Sequence, residues 1–538
     1  MANIPTPVNE PVYGYAPGSP ERAELKKALE EVASEQIEIP IVAGAEEIRS
    51  GETVDVVMPH DHQHVLAKAH VAKREHVQKA IDASQKVAKS WAETPFADRA
   101  AIFLRAADML TGTWRQKVNA VCMLGQSKTA HQSEIDAVCE LADFWRFNVA
   151  FAEKIYADQP ISVRGQWNRM DHRPLEGFVL AVSPFNFLSI CANLPTAAIL
   201  MGNVALWKPA STSLRGCWTM VELLREAGLP DGVLGFIPGP GPEQGEAALD
   251  SPHLAGIHFT GSTPTFHTLW KGVAERLDTY RSYPRIVGET GGKDFIVAHP
   301  SADPMQLATA ISRGAFEFQG QKCSAVSRVY IPKSLWKTVS ERVAADMEGM
   351  KYGDVRDFSN FGGAVIDERA FDKITGYIGV AKETATVVAG GASDKSKGWF
   401  VHPTLVRVDD PKHRLMREEI FGPVVTAYVY DDATPWSEVL ELVDSTSPYG
   451  LTGAVFSRDR EAVREALVGL RQAAGNFYVN DKPTGAVVSQ QPFGGARQSG
   501  TNDKAGFHYN LLRWVSPRSI KENLLPPTDW RYPFLGEE

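Results

Sequence analysis

In Gly177-Phe178-Val179-Leu180-Ala181-Val182-Ser183-Pro184-Phe185-Asn186 an uninterrupted apolar run ends in a polar, proline-marked turn, the pattern of a buried strand feeding a loop. Apolar runs recur at 205–208, 234–237 and 256–259, and helical periodicity falls between them near 189–201, over 213–227 and 243–249, and from about Pro264. Short strands alternating with helices predict right-handed βαβ units and a parallel sheet. Ligands of such sheets sit outside the carboxyl ends of the strands, where Ser183-Pro184-Phe185-Asn186 and Phe259-Thr260-Gly261-Ser262-Thr263 both fall.

Working outward, a second α/β stretch runs from Phe295 to about Tyr478. Upstream, helical periodicity spans 21–34, 74–91, 98–110, 113–124 and 132–151, the last carrying Glu140 and Asp143 on one stripe. A proline-marked arm precedes the first helix and is expected to pack over a domain surface. Residues 161–173 read as a polar β-hairpin, and the tail from Val515 reads as extended. His60, His62 and His64 alternate without a carboxylate or cysteine cluster, so a solvated hairpin is expected there and not a metal site.

The chain has 538 residues, too many for one ordinary core, so two or three domains are expected. Its net charge of −9 and the lack of a Lys/Arg-rich block argue against a nucleic-acid partner. Five irregularly spaced cysteines suit a reducing compartment. The N-terminus has neither the order of a secretion signal nor that of an organelle presequence, so a cytoplasmic location is expected. The most apolar segment, 190–204, is broken by Asn193, Pro195, Gly202 and Asn203, so no membrane span is expected.

Chemistry is concentrated in two places. In Gln319-Gly320-Gln321-Lys322-Cys323-Ser324 a cysteine lies between a cation and a hydroxyl after a small-residue turn, so Cys323 is a nucleophile candidate whose thiolate Lys322 would favour. In Gly288-Glu289-Thr290-Gly291-Gly292-Lys293 a carboxylate is held among glycines, where a general base can approach a substrate. Thiolate, carboxylate and glycine-lined approach together point to acyl chemistry. Gly261-Ser262-Thr263-Pro264 fits a strand end turning into a capped helix, against whose free amides a pyrophosphate can rest. A plain capped helix explains the same residues. Lys208, at a strand end, suits a ribose or phosphate and equally a snorkelling surface lysine. Gly239-Pro240-Gly241 has the wrong spacing for a dinucleotide fingerprint and reads as a turn.

Taken in order, Asn186, Lys208, Gly261-Ser262, Glu289, Cys323 and Glu419-Ile420-Phe421-Gly422-Pro423 resemble the aldehyde dehydrogenase superfamily. Gly485-Ala486-Val487-Val488-Ser489-Gln490-Gln491-Pro492-Phe493-Gly494-Gly495-Ala496-Arg497, Ser499 to Lys504 and the tail Asn523 to Pro527 resemble its Δ1-pyrroline-5-carboxylate (glutamate-γ-semialdehyde) dehydrogenase branch. The resemblance implies an α/β fold with a Rossmann-type NAD-binding domain, an α/β catalytic domain and a β-hairpin oligomerisation flap. The implied division is 1–160 with 175–287 for NAD and the N-terminal arm, 288–483 for catalysis, 161–174 with 508–538 for the flap, and 484–507 for a substrate-anchor loop.

It further implies NAD-dependent oxidation of L-glutamate γ-semialdehyde to L-glutamate in proline degradation. Cys323 is then the nucleophile, Glu289 the base and Asn186 an oxyanion donor. Ser183, Pro184, Phe185, Lys208, Gly261, Ser262, Thr263, Pro264, Thr265, Glu419 and Phe421 are implied for NAD. Glu140, Phe187, Lys322, Ser324, Gly485, Ala486 and Phe493 are implied for the substrate. Ser211 stands where many members carry the Glu that engages the adenosine ribose, so that position does not select NAD over NADP, and Ala486 stands where some relatives have serine. A homodimer or larger homo-oligomer and transient contact with a separate proline dehydrogenase are implied partners. Two alternatives remain at this stage, a dehydrogenase of another acidic semialdehyde and a catalytically silent relative.

Overall fold

The computed structural model describes residues 4–537. Its first seven-stranded sheet runs, edge to edge, Arg285–Glu289, Leu254–Thr260, Phe178–Val182, Val204–Lys208, Leu234–Phe236, Ile41–Ala43 and Glu46–Ile48. The first five are parallel, Ile41–Ala43 runs antiparallel to them, and Glu46–Ile48 pairs antiparallel with Ile41–Ala43. Strand order reverses between Phe178–Val182 and Leu254–Thr260, which opens a crevice at their carboxyl ends. Phe178, Val179, Leu180 and Ala181 are fully buried because helices cover both faces. One cover, Leu188–Leu200, is buried along nearly all its length, with its polar stripe Ser189, Asn193 and Thr196 hydrogen-bonded to Asp136, Asn148 and Trp145.

The second seven-stranded sheet runs Thr386–Gly390, Thr404–Val408, Val424–Tyr430, Val326–Pro332, Asp294–Ala298, Thr452–Phe456 and Asn476–Val479, parallel except for its first strand. Glu289 closes an edge strand of the first sheet and Asp294 opens a central strand of the second, so Thr290-Gly291-Gly292-Lys293 is the passage between them. Segment 499–501 returns to the first sheet, where Gly500 bridges Glu289 and the Thr501 amide donates to Gly288 O at 2.8 Å.

Three expectations need correction. Residues 161–173 do not pair with themselves. Gln166–Pro174 is one strand paired antiparallel with Val515–Asn523 over nine residues, while 159–162 lie alongside it through side-chain hydrogen bonds. The family resemblance placed this segment with the tail, as the pairing shows, but alternation within 161–173 does not tell a self-paired hairpin from a strand whose partner is distant. The helix expected over 132–151 is a short α-turn, Ala130–Ser133, then a π-helix, Glu134–Glu140, then the α-helix Leu141–Ala157. Hydrophobic periodicity does not resolve one inserted residue, and the wider turn points Asp136 and Glu140 together at Ser189. His60 is buried against Ser127 at 3.1 Å, and burial lowers its pKa to about 4, so the triplet is not a uniformly solvated face. Among the described residues no His/Cys/Asp/Glu cluster is suited to a metal, and no helix is long and apolar enough to cross a membrane.

Candidate active site

Cys323 follows a turn in which Phe318, Gln319 and Gly320 all take left-handed backbone conformations, with φ of 48°, 54° and 63°. For two residues with a Cβ this is strained and needs outside support. Gln319 supplies it, its Nε2 donating to Ser127 O (3.0 Å) and Ala364 O (2.7 Å). Asn186, in the loop after Phe178–Val182, donates from Nδ2 to Gln321 O at 3.1 Å, which brings its amide to the nucleophile turn. A Cβ on Gly292 would overlap the Cys323 carbonyl oxygen, so glycine is required where the passage crosses this turn.

Lys322 does not activate the thiol. Its Nζ pairs with Glu317 at 3.1 Å, and its charged form is disfavoured by burial. Burial raises the Cys323 thiol well above its ordinary range, and the carboxylates Asp294, Glu289 and Glu419 raise it further. Its surroundings therefore favour the thiol over the thiolate. Adjacency in sequence does not deliver a charge that is engaged by a carboxylate elsewhere.

Glu289 accepts a hydrogen bond from the Gly495 amide at 2.8 Å, and a Cβ on Gly494 would lie 3.1 Å from its Oε1. Burial drives its pKa well up, opposed by the Gly495 bond and by Lys504. The 494–504 segment thus encloses a carboxyl whose neutral form burial favours, a property suited to a base used at one step.

The cofactor candidates gather at the crevice of the first sheet. Ser262 caps helix Thr263–Ala274, accepting from the Thr265 amide, and Pro264 occupies the first turn. Ser262, Thr263 and Pro264 share with Glu419 a cleft of about 570 Å³ that also touches Lys373, Arg414 and Arg417. Glu419 accepts from the Gly292 amide at 2.9 Å, tying this cleft to the passage. The Phe185 and Phe421 rings meet edge to face at 5.8 Å. Ser183 holds Trp207 Nε1 at 2.9 Å, and the Pro184 carbonyl accepts from Cys191 Sγ. Burial lowers Lys208 to about 8, and its Nζ lies near Gly241. The buried Thr263 hydroxyl has no hydrogen-bond partner among the described residues. An unpartnered hydroxyl, a capped helix N-terminus and a cationic cleft fit the diphosphate and sugars of a dinucleotide.

On the other side of Cys323, Ser324 Oγ meets Thr484 Oγ1 at 2.8 Å, joining the nucleophile turn to the anchor loop. Gly485 has φ of +91°, and Lys482 Nζ reaches back to Thr484 O at 3.0 Å. Ala486 and Phe493 are half-buried on that loop, with Phe493 bridged to Ala505. Phe187 is half-buried with Lys128 Nζ 4.4 Å from its ring centroid. Lys128 forms a buried pair with Asp136, whose carboxylate also accepts from the Ser189 amide and hydroxyl, and the same Ser189 Oγ lies 2.7 Å from Glu140 Oε2. Burial, reinforced by Asp136, lifts Glu140 to about 8. Sequence reasoning missed Lys128, Asp136, Ser189, Thr484 and Lys482. Only the carboxylate stripe on 132–151 hinted at the first three.

The aldehyde dehydrogenase family model matches residues 47–520. A mitochondrial Δ1-pyrroline-5-carboxylate dehydrogenase of Dictyostelium discoideum is 50% identical over 99% of this chain and 96% of its own length. The crystal structure of the Δ-pyrroline-5-carboxylate dehydrogenase of Mycobacterium tuberculosis bound with NAD superposes with a TM-score of 0.96 at 52% identity, covering 100% of this chain and 99% of that one. Proline utilization A of Bdellovibrio bacteriovorus superposes with a TM-score of 0.92 at 30% identity, over 96% of this chain and 53% of that one.

Proposed function

The chain belongs to the aldehyde dehydrogenase family, and from that premise we propose that its site oxidises L-glutamate γ-semialdehyde, in equilibrium with Δ1-pyrroline-5-carboxylate, to L-glutamate with NAD. The observation that carries this reading is the meeting of Asn186, Glu289 and Cys323 at the passage between the two sheets, with the cofactor cleft on one side and the anchor loop on the other. The first sheet is then the NAD-binding domain and the second the catalytic domain.

Cys323 Sγ bonds to the aldehyde carbon as its proton leaves to a neighbouring carboxylate. The carbonyl oxygen becomes an oxyanion, held by the Asn186 side-chain amide and the Cys323 backbone N–H, donors worth roughly 3 kcal/mol each in such sites. NAD, held by Ser183, Pro184, Phe185, Lys208, Gly261 to Thr265, Glu419 and Phe421, supplies the two-electron hydride acceptor when bound. Cys323 is left as a thioester. Glu289 takes a proton from water as the water oxygen bonds to the acyl carbon. The C–S bond then breaks, returning the thiolate and releasing the carboxylate product.

At the far end of the substrate, the amides of Gly485 and Ala486 with Ser324 Oγ bind the carboxylate, Phe187 and Phe493 flank the aliphatic part, and Glu140 faces the amino group. Lys322, engaged by Glu317, supports the turn. The ribbon of Gln166–Pro174 with Val515–Asn523 leaves Trp167, Leu525 and Trp530 exposed, which supports its use in a homodimer or larger homo-oligomer. Resemblance to about half of proline utilization A supports supply of substrate by a separate proline dehydrogenase through transient contact. Five free thiols suit a reducing compartment, for which we propose the cytoplasm. Steady-state NAD reduction with Δ1-pyrroline-5-carboxylate against succinic semialdehyde tests the assignment. A preference for the latter would sink it.

A further inference from the structure

The loop 484–494, assigned above to the carboxylate end of the substrate, contains no helix or strand. Its ends are fastened by Thr484 to Ser324 and by the Phe493–Ala505 bridge. Its middle folds on itself, with the Gln490 and Gln491 amides donating to Val487 O at 3.0 Å and Ser489 held at φ of 70°. Among the described residues, the hydrogen bonds reaching 485–491 from outside the loop come from one residue of the N-terminal arm. Asn9 Nδ2 donates to Val488 O at 3.0 Å, and Asn9 Oδ1 accepts from Gln490 Nε2 at 2.9 Å.

Asn9 is itself anchored. Its Nδ2 also donates to Asp143 Oδ2 at 2.8 Å, and the Glu10 amide donates to Asp143 Oδ1 at 2.8 Å. The Glu10 carboxylate pairs with Arg115 (2.8 Å) and Arg146 (2.6 Å). The arm is thereby bolted to the helices Arg115–Gln126 and Leu141–Ala157, both packed in the protein interior. An irregular loop that must present two backbone amides to an anion binds it well only if its geometry is set before binding, since ordering it afterwards subtracts from affinity.

We propose that Asn9 is a positioning residue for substrate selection. It clips the centre of the anchor loop to the helical layer, so that the Gly485 and Ala486 amides, two to three residues from the Val488 contact, are held ready for a carboxylate. The inference rests on the reading of the anchor loop given above. Among the described residues of the arm none hydrogen-bonds Cys323, Glu289 or Asn186, so the role is exerted through Val488 and Gln490.

The experiment compares wild type, Asn9→Ala and Gln490→Ala in steady-state kinetics with L-glutamate γ-semialdehyde and with propanal, and in amide hydrogen exchange of the unliganded enzyme. Asn9→Ala is expected to raise KM for the semialdehyde about tenfold while kcat, KM for propanal and KM for NAD stay within about twofold. Exchange at 485–491 should accelerate while Leu141–Ala157 stays protected. Gln490→Ala, which removes only one of the contacts, should shift both readouts in the same direction by less, and it serves if Asn9→Ala does not fold. Wild-type preference for the semialdehyde with an unmoved KM ratio in the variants overturns the role of Asn9 alone. Equal KM rises for both aldehydes overturn it too, since the arm would then merely support the tunnel. A wild type that does not prefer the semialdehyde overturns the anchor-loop reading and the selection role with it.

Discussion

On the cofactor side, the principal candidate contacts follow a strand of the first sheet closely: Ser183 to Asn186 after Phe178–Val182, Lys208 at the end of Val204–Lys208, Gly261 to Thr265 after Leu254–Thr260. On the substrate side they come from segments scattered over the chain: the arm at Asn9, the π-helix at Asp136 and Glu140, Phe187, Ser324, and an irregular loop at 484–494. The first construction is local, because a strand end and a helix start are neighbours in sequence and the topology aims them at one crevice. The second is a set of long-range hydrogen bonds among elements that have no reason to meet until the protein is folded. The difference teaches that the candidate cofactor contacts are set mainly by strand ends of one sheet, with Glu419 and Phe421 added from beyond it, whereas the candidate substrate contacts are set by how the layers are packed together.

If the two sides are separable around a shared nucleophile, Cys323→Ala should cut turnover by at least about three orders of magnitude while NAD affinity stays within about twofold, since the lost group is covalent and the cleft contacts are elsewhere. Calorimetry beside an activity assay checks it. A large loss of NAD affinity would break the comparison at its centre.

Glu289→Gln should slow thioester hydrolysis about a hundredfold and leave a rapid burst of NADH before a slow steady state. The sign with pH follows from burial. The raised carboxyl is neutral at low pH and becomes a base only as pH climbs through its elevated pKa, so wild-type turnover should increase on the alkaline side. In the variant that dependence should vanish from the steady state and persist in the burst, which follows the separately raised Cys323 thiol. Stopped-flow measurement across pH separates the two phases.

Gly485→Leu should raise KM for the semialdehyde about thirtyfold, with a much smaller effect on a simple aliphatic aldehyde, because only the carboxylate loses amide donors. Its φ of +91° adds backbone strain that a matched Gly485→Ala control isolates. The mirror-image test on the cofactor side is Lys208→Met, expected to raise KM for NAD about fivefold without moving KM for the semialdehyde. Crossed effects in either variant would mean that the two sides are coupled.

The smallest effect is expected at Glu140. Its carboxyl, lifted to about 8, is neutral at pH 6.5 and ionised at pH 9. Glu140→Gln mimics the neutral form, so kcat/KM should match wild type within about twofold at pH 6.5. As pH rises through 8 the wild type gains a negative charge facing the substrate's amino group and the variant does not, so the two profiles should part there by a few-fold. Parallel profiles would remove Glu140 from substrate contact.

Much of the architecture was legible in one dimension. Alternation of apolar runs with helical periodicity over 177–277 anticipated the parallel sheet, and Ser262 with Pro264 anticipated a capped helix start. Glu289 among glycines was read as an open approach to a base, whereas the structure shows a crowded passage in which Gly292 leaves no room for a Cβ. These are short-range statements. They depend on side-chain period, on turn residues and on the steric demands of a single position, all written into consecutive residues.

Other features were decided only in three dimensions. Lys322 adjoins Cys323 in the chain, yet it turns to Glu317, and the thiol instead feels Asp294, Glu289 and Glu419, carboxylates contributed by other segments. Asn9 finds Val488 from 479 positions away. The sequence by itself therefore determined the alternating scaffold, the strand-end loops and the candidate nucleophile and base. Tertiary structure decided the direction in which that nucleophile's pKa is shifted, the partners of the anchor loop and the raised pKa of Glu140. The reason is physical. Desolvation and Coulomb interaction depend on what surrounds a group within a few ångströms, and hydrogen bonds need donors and acceptors brought into register, so both are set by which distant segments the folded layers bring into contact.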